Sequence, residues 1–554
     1  MNSSRRFRLD AGARARLETW GLPLVSAFFA AAHLEGLLLF LNPDLPLAFG
    51  AILRGSALYT LLLAPVSYAA HLGVSRWRAV PVRRLLPWGL TLVAAFGALG
   101  DWVHASYFTY YLPPGINVQL IKTALWLTLG TLLFFYTSLL HTLHGRRYGL
   151  RSQLLLLFVA LGTVYALFDR RTSFRPAAPT LPRFVGLASE GAPRLALVVL
   201  PTATLDALLP LAEQGRLPFF ADAFTHGARG RLSGFAPARP LALEASLATG
   251  KMPFKHGLVG SEVVVAPWQD PVEPLRLLPI AVGFRHWGVP GGVTRPESPE
   301  DLRALPLWTL LLRLGRGAIA VGFPPPLGPE PVAHELAPSR STAERELELV
   351  GADELAARLG ADRATLADAS ARMTAEDRAL FVRLEGLEAA SLASFGGFQA
   401  SLFEGERSST ARRAAEVLIA YYAGLDEALA ELWDSLPEPR LLAVASAYGI
   451  SAPSGLERIG LELADLPRSR GSIGGGSDGF LLLLGEGIRP GVQLQGGSVP
   501  DVSPTLLYAL ALPVPRDADG KVLAAAFEPA LLQRRPLSFV PSYDGLPGPA
   551  ASAP

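Results

Sequence analysis

Residues 214–257 read QGRLPFFADAFTHGARGRLSGFAPARPLALEASLATGKMPFKHG. A helical segment, 205–214, runs into Gly-Arg-Leu-Pro, a Pro-rich turn follows, and then come Ala248-Thr249-Gly250 and Pro253-x-x-His256-Gly257. On either side of this stretch, short apolar runs suited to buried parallel strands lie at 195–200, 318–321, 380–384, 441–446 and 480–484. Helical stretches separate them, at 205–214, in pieces over 342–378, and over 410–436. Strands alternating with helices predict a mostly parallel sheet between helices.

The remainder of the chain has a different character. The 554 residues are 50% hydrophobic and 18% charged, with a mean hydropathy of +0.31, whereas soluble domains are about a quarter charged. A wholly soluble protein is excluded. Lys plus Arg at 50 against Asp plus Glu at 48 leaves a net charge of +2, too little basic excess to predict a nucleic-acid partner. No cysteine occurs, which excludes disulfides, zinc–thiolate sites, iron–sulfur clusters and cysteine nucleophiles. With 54 Gly, 47 Pro and 3 Met, the composition is that of a GC-rich bacterial chain.

Apolar stretches at 21–41, 53–74, 85–103, 121–143 and 149–168 are each long enough to cross about 30 Å of hydrocarbon as a helix. They predict a transmembrane bundle of five helices over 1–168. Arginines 5, 6, 8, 14 and 16, then 76, 78, 83 and 84, then 146, 147 and 151 mark three cytoplasmic segments. The alternate loops, 42–50 and 105–117, carry almost no basic residues and face outward. Everything after residue 168 is thereby delivered to the periplasmic or extracellular side of the inner or plasma membrane, against a counter-signal from Arg170, Arg171 and Arg175. A Pro-, Arg- and Ala-rich linker spans 169–193, the α/β domain 194–535, and a disordered tail 536–554. Within the spans, His33 and Glu35 form a candidate intramembrane polar site that could handle a membrane lipid or an ion. Asp101 and Lys122 are expected at the outer interface.

The 214–257 stretch resembles the start of the type I phosphodiesterase/nucleotide pyrophosphatase group of the alkaline phosphatase superfamily. Two further pieces match in family order. LWTLLLRLGRGAIAVGFPPPLGPE (307–330) is similar to the group's Trp-x-x-Leu helix, strand and Pro-rich loop, and GFLLLLGEGIRPGVQLQGGSVPDVSPTLLYALALPVPRDADG (479–520) to its last strand, Gly-rich loop and Asp-x-x-Pro-Thr-Leu-Leu helix. A membrane bundle followed by such a domain is also similar in layout to lipoteichoic acid synthases and phosphoethanolamine transferases, whose catalytic motifs are not in this sequence.

The resemblance implies a Ser or Thr nucleophile held against two metal ions by Asp and His side chains. Position by position, those groups are replaced. Pro201-Thr202 stands where the first metal-binding Asp is expected, Pro240 at the nucleophile, Glu388 and Leu392 at an Asp and a His, Ala447-Tyr448 at Asp-His, and Ile473 at the last His. The last histidine in the chain is His334, ahead of every metal-binding histidine of the group. No catalytic residue, metal site or cofactor is therefore expected. Asp206 reads as an exposed residue of the first helix, Ser246 as part of the helix after the old nucleophile, Asp426 as helix surface beside Tyr421 and Tyr422, and His256 as structural. Arg239 and Lys251 are candidates for weak anion binding. The reading that follows is a catalytically inactive membrane-anchored protein that binds a protein partner in a membrane complex. Two alternatives stay open: a phosphodiesterase or phosphotransferase rearranged around Glu388, Thr202 and Ser246, and a function residing in the bundle.

Overall fold

The computed structural model describes residues 16–45, 47–144, 192–266, 274–279, 292–324, 326–328, 341–399, 409–463, 470–474 and 477–546, with isolated helical positions between 154 and 169. The chain forms two compact units, Met1–Ala177 with Ser261–Pro296, and Ala178–Gly260 with Glu297–Pro554.

Among its described residues, the first unit holds four helices long and apolar enough to span a membrane: Leu22–Leu41, Phe49–Arg78, Val82–Tyr107 and Pro114–His144. The longest runs about 45 Å at 1.5 Å per residue. Large apolar side chains such as Phe49, Leu61, Phe96 and Leu143 are exposed, as a lipid-facing surface requires. The fifth predicted span, 149–168, lies mostly outside the described residues. Its few described positions are helical, and Trp126 of the fourth helix donates from Nε1 to the Val159 carbonyl at 2.9 Å. Asp101, near the outer end of its helix, is almost completely buried on an inward face, 3.5 Å from His33 of the neighbouring helix.

The sequence reading of one continuous domain over 194–535 needs a correction. Residues 261–296 leave the α/β unit and form an arm within the first unit. Its strands are β3 (Glu262–Val265), β4 (Pro274–Leu275) and β5 (Val293–Pro296), with β3 pairing antiparallel to both others. Leu38, Leu39 and Leu45 pack against Ala266 and Leu275. Asn42, just past the first membrane helix, pins the arm with its amide. Its Oδ1 accepts from the Arg276 and Leu277 amides at 2.8 and 3.1 Å, and its Nδ2 donates to the Leu277 carbonyl at 2.7 Å. Asn42→Ala leaves these backbone groups unpaired, which costs about 1–3 kcal/mol locally. We expect faster limited proteolysis within 261–296 in that variant, with the rest of the chain as resistant as wild type.

In the second unit, β1 (Arg194–Val199), β2 (Ala228–Ser233), β6 (Gly317–Val321), β7 (Asp377–Arg383), β8 (Arg440–Ser446), β9 (Gly479–Gly485) and β10 (Val492–Ser498) build one sheet in the order β10-β2-β9-β8-β1-β7-β6. Four pairings are parallel, while β9 runs antiparallel to both neighbours. The sheet is therefore mixed. The apolar runs predicted as strands are β1, β6, β7, β8 and β9. Helices Leu205–Glu213, Asp353–Ala371 and Ser409–Ser435 bury Leu208, Leu366, Tyr421 and Leu425 against Val198, Leu380 and Val444. Gly479 is required where β9 meets β8, since a Cβ there would collide with the Ser446 carbonyl. The predicted tail 536–554 is also corrected in its described part. Strand β12 (Phe539–Val540) pairs with β11 (Val514–Pro515), and the Tyr543 hydroxyl donates to the Pro513 carbonyl at 2.8 Å.

Candidate functional site

The carboxyl ends of the parallel strands β1, β7 and β8 come together in the sheet, where α/β folds place their sites. Thr202, after β1, is buried in the left-handed region at φ 67°. Its amide donates to the Tyr448 carbonyl at 3.2 Å and its hydroxyl to its neighbour's carbonyl, that of Pro201. Pro240 opens helix Pro240–Thr249, a position at which the missing N–H removes no helical bond. One turn on, that helix presents Glu244, almost fully buried. Strand β7 ends in Arg383, and helix Gly386–Phe398 begins just after it and carries Glu388 in its first turn.

These side chains form one network. Arg383 Nε donates to Glu244 Oε1 at 2.8 Å, and Arg383 Nη2 lies 3.5 Å from Glu388 Oε2. The Tyr448 hydroxyl is 3.2 Å from both Glu244 Oε1 and Glu388 Oε2, so its single proton is shared between two carboxylates. Burial opposes the charge of Arg383, but the carboxylate of Glu244 holds its pKa above the ordinary value. Burial raises the Glu388 carboxyl and the Tyr448 phenol. The guanidinium thus lies between two carboxylates. Leu392, at an expected histidine position, packs with Phe395, Ile450 and Ala452. Ala447 is buried and Ile473 half-buried. Among the described residues, no group of three His, Asp or Glu side chains is arranged to hold a metal ion.

The other predicted residues are dispersed. Asp206 is exposed and paired with Arg231, whose hydrogen bond lowers its pKa. Ser246 and His256 are both fully buried, with Oγ and Nε2 3.0 Å apart. The His256 Nδ1 accepts from the Leu258 amide at 3.2 Å, which puts the imidazole proton on Nε2, donating to Ser246. An imidazole in that tautomer cannot act as base toward the hydroxyl it donates to. Asp426 corrects the surface reading. It is buried and caps helix Pro218–His226, accepting from the Phe219 and Phe220 amides at 3.0 and 2.9 Å. The Lys251 ammonium lies against Asp517, at 2.6 Å, and Asp544. Arg239 donates to the Val259 carbonyl at 2.7 Å. Both candidates for anion binding thus have internal partners. Glu35 is fully buried, its carboxylate over the backbone of Gly55, and does not join His33, which faces Asp101.

Sequence reasoning missed Glu244 and Arg383. Their signal was present. Each is a lone charge inside an apolar run, LALEASLA and ALFVRL, a pattern that calls for a buried partner.

No protein-family model matches the sequence, and no curated protein matches it. Among solved structures, the chain is similar to wild-type alkaline phosphatase PafA, with a TM-score of 0.42 and 12% identity over 62% of this chain and 100% of that one. It is also similar to human ectonucleotide pyrophosphatase/phosphodiesterase 5, with a TM-score of 0.37 and 14% identity over 62% of this chain and 99% of that one. For the murine protein of the same description the values are 0.35 and 14%, over 58% and 96%. These are likenesses of fold.

Proposed function

We propose that this chain is a membrane-anchored relative of the type I phosphodiesterases whose catalytic pocket has been rebuilt around a guanidinium, and that it acts as a non-hydrolytic subunit binding a protein partner outside the cytoplasm. The observation that carries this reading is the Arg383 network. A divalent cation would have to displace a guanidinium held by Glu244 at 2.8 Å, and position 240 offers no hydroxyl for attack. The side of the membrane is supported by Asn42. It bonds the arm at the residue-42 end of the first membrane helix, and arginine asymmetry puts that end outside. The residue-42 end lies outside with or without a fifth span.

The full-length protein purified in mild detergent should contain no stoichiometric zinc or manganese and should not turn over p-nitrophenyl phosphate or bis(p-nitrophenyl) phosphate. A membrane or extracytoplasmic protein should co-purify and remain bound to the Pro240→Thr variant. Reporter fusions at Gly149 and Ala177 should show opposite sidedness. Stoichiometric metal with turnover abolished by Glu388→Ala would overturn the reading.

A further inference from the structure

A cavity of about 440 Å³ opens between the first and third membrane helices, within the range of small-ligand pockets. Ala30, Leu34, Leu37, Phe96 and Val103 contribute to its lining, and His33 and His104 supply the polar side chains. Phe96, Leu99 and Val103 are also exposed on the lipid-facing surface, so the cavity is reached from the hydrocarbon. Pro279 of the arm completes the wall.

The polar side chains gather toward the outer leaflet. Asp101 and His33 lie about 9 and 12 Å from the outer ends of their helices at 1.5 Å per residue. His33 Nε2 and Asp101 Oδ1 are 3.5 Å apart, longer than the 2.7–2.9 Å of a good charge-assisted bond. Neither His33 Nε2 nor Asp101 Oδ2 has a hydrogen-bond partner, although both atoms are buried and Asp101 is 1% exposed. In hydrocarbon no water compensates such groups; of the pair only His33 lines the cavity, so a ligand hydroxyl there would meet its imidazole, with Asp101 behind it. A phosphate head would want Arg or Lys, and the lining holds neither.

We propose that this cavity binds a neutral, hydroxyl-bearing lipid, its hydrocarbon chain between the first and third membrane helices and its hydroxyl at His33, the member of the His33–Asp101 pair that lines the cavity. The proposal is independent of the reading of the α/β pocket.

The test uses full-length protein in phosphatidylcholine nanodiscs, titrated with dioleoylglycerol and followed by native mass spectrometry. One equivalent should be retained, at least tenfold more tightly than dioleoylphosphatidylglycerol. Ala30→Phe, which fills the cavity, should weaken retention at least tenfold, and His33→Leu should erase the preference between the two lipids. A diacylglycerol with a diazirine in one acyl chain should label the wild-type protein on helices Leu22–Leu41 and Val82–Tyr107. Absence of retention by the wild type, equal retention of the anionic lipid, or labelling confined to other helices would overturn the proposal, whatever the variants do.

Discussion

Replacing Arg383 by leucine should destabilise the full-length protein by about 3–5 kcal/mol, the range for breaking a buried ion pair from one side. The guanidinium is the cation between Glu244 and Glu388, and without it two carboxylates and a phenol face one another inside the sheet's edge. Protonating one carboxylate relieves part of the repulsion. The loss should therefore shrink as pH falls toward the carboxyl range. Combining Arg383→Leu with Glu244→Leu should recover much of the loss, because replacing both members of a buried pair by apolar groups is often neutral. Denaturant unfolding in mild detergent measures all three states. A single variant as stable as wild type would mean that the network does not hold the pocket closed.

Changing pH should move stability through Asp362 by about 4 kcal/mol, at about 1.4 kcal/mol for each tenfold change in proton affinity. Asp362 accepts from the Tyr421 hydroxyl at 2.8 Å and the Gly386 amide at 3.1 Å, yet burial pushes its carboxyl up to about 7. The folded state keeps this proton while the unfolded chain releases it near pH 4, so the stabilisation is present below pH 4 and is lost as pH rises to 7. Asp426, raised by burial to about 6, adds to the same trend. Asp362→Asn should flatten the slope between pH 4 and 7 and leave stability at pH 8 equal or higher. An unchanged slope would remove Asp362 as its source.

The strands that could be read from sequence are those buried on both faces. FLLLL and LLAVAS show this as continuous apolar runs. Strand β2, ARGRLS, has every second residue at least partly exposed, and β10, VQLQGGS, lies at the sheet's edge with five of its seven residues partly or fully exposed, so neither carries enough apolar pattern to be recognised. The arm 261–296 was hidden for another reason, since nothing local distinguishes an insertion that packs on a membrane bundle from an ordinary loop. In the candidate site, the sequence shows that histidine stops at His334. The Arg383 network was not legible, because Glu244 and Arg383 stand 139 residues apart and only the folded chain brings them together. Asp426 could have been placed. Tyr422 and Leu429, at i−4 and i+3, set it on the apolar face of its helix.

The arm changes what counts as a separable piece of this protein. Chain passes between the two units at 177–178, 260–261 and 296–297, so a protease that nicks the linker leaves the α/β unit tethered by two further passages and by the grip of Asn42. A soluble fragment begun at residue 194 would carry Val264, Ala266 and Leu275 without Leu38, Leu39 and Leu45 to cover them, presenting apolar surface to water. An expression boundary for the α/β unit alone therefore has to excise 261–296 and rejoin Gly260 to Glu297, or keep the membrane helices.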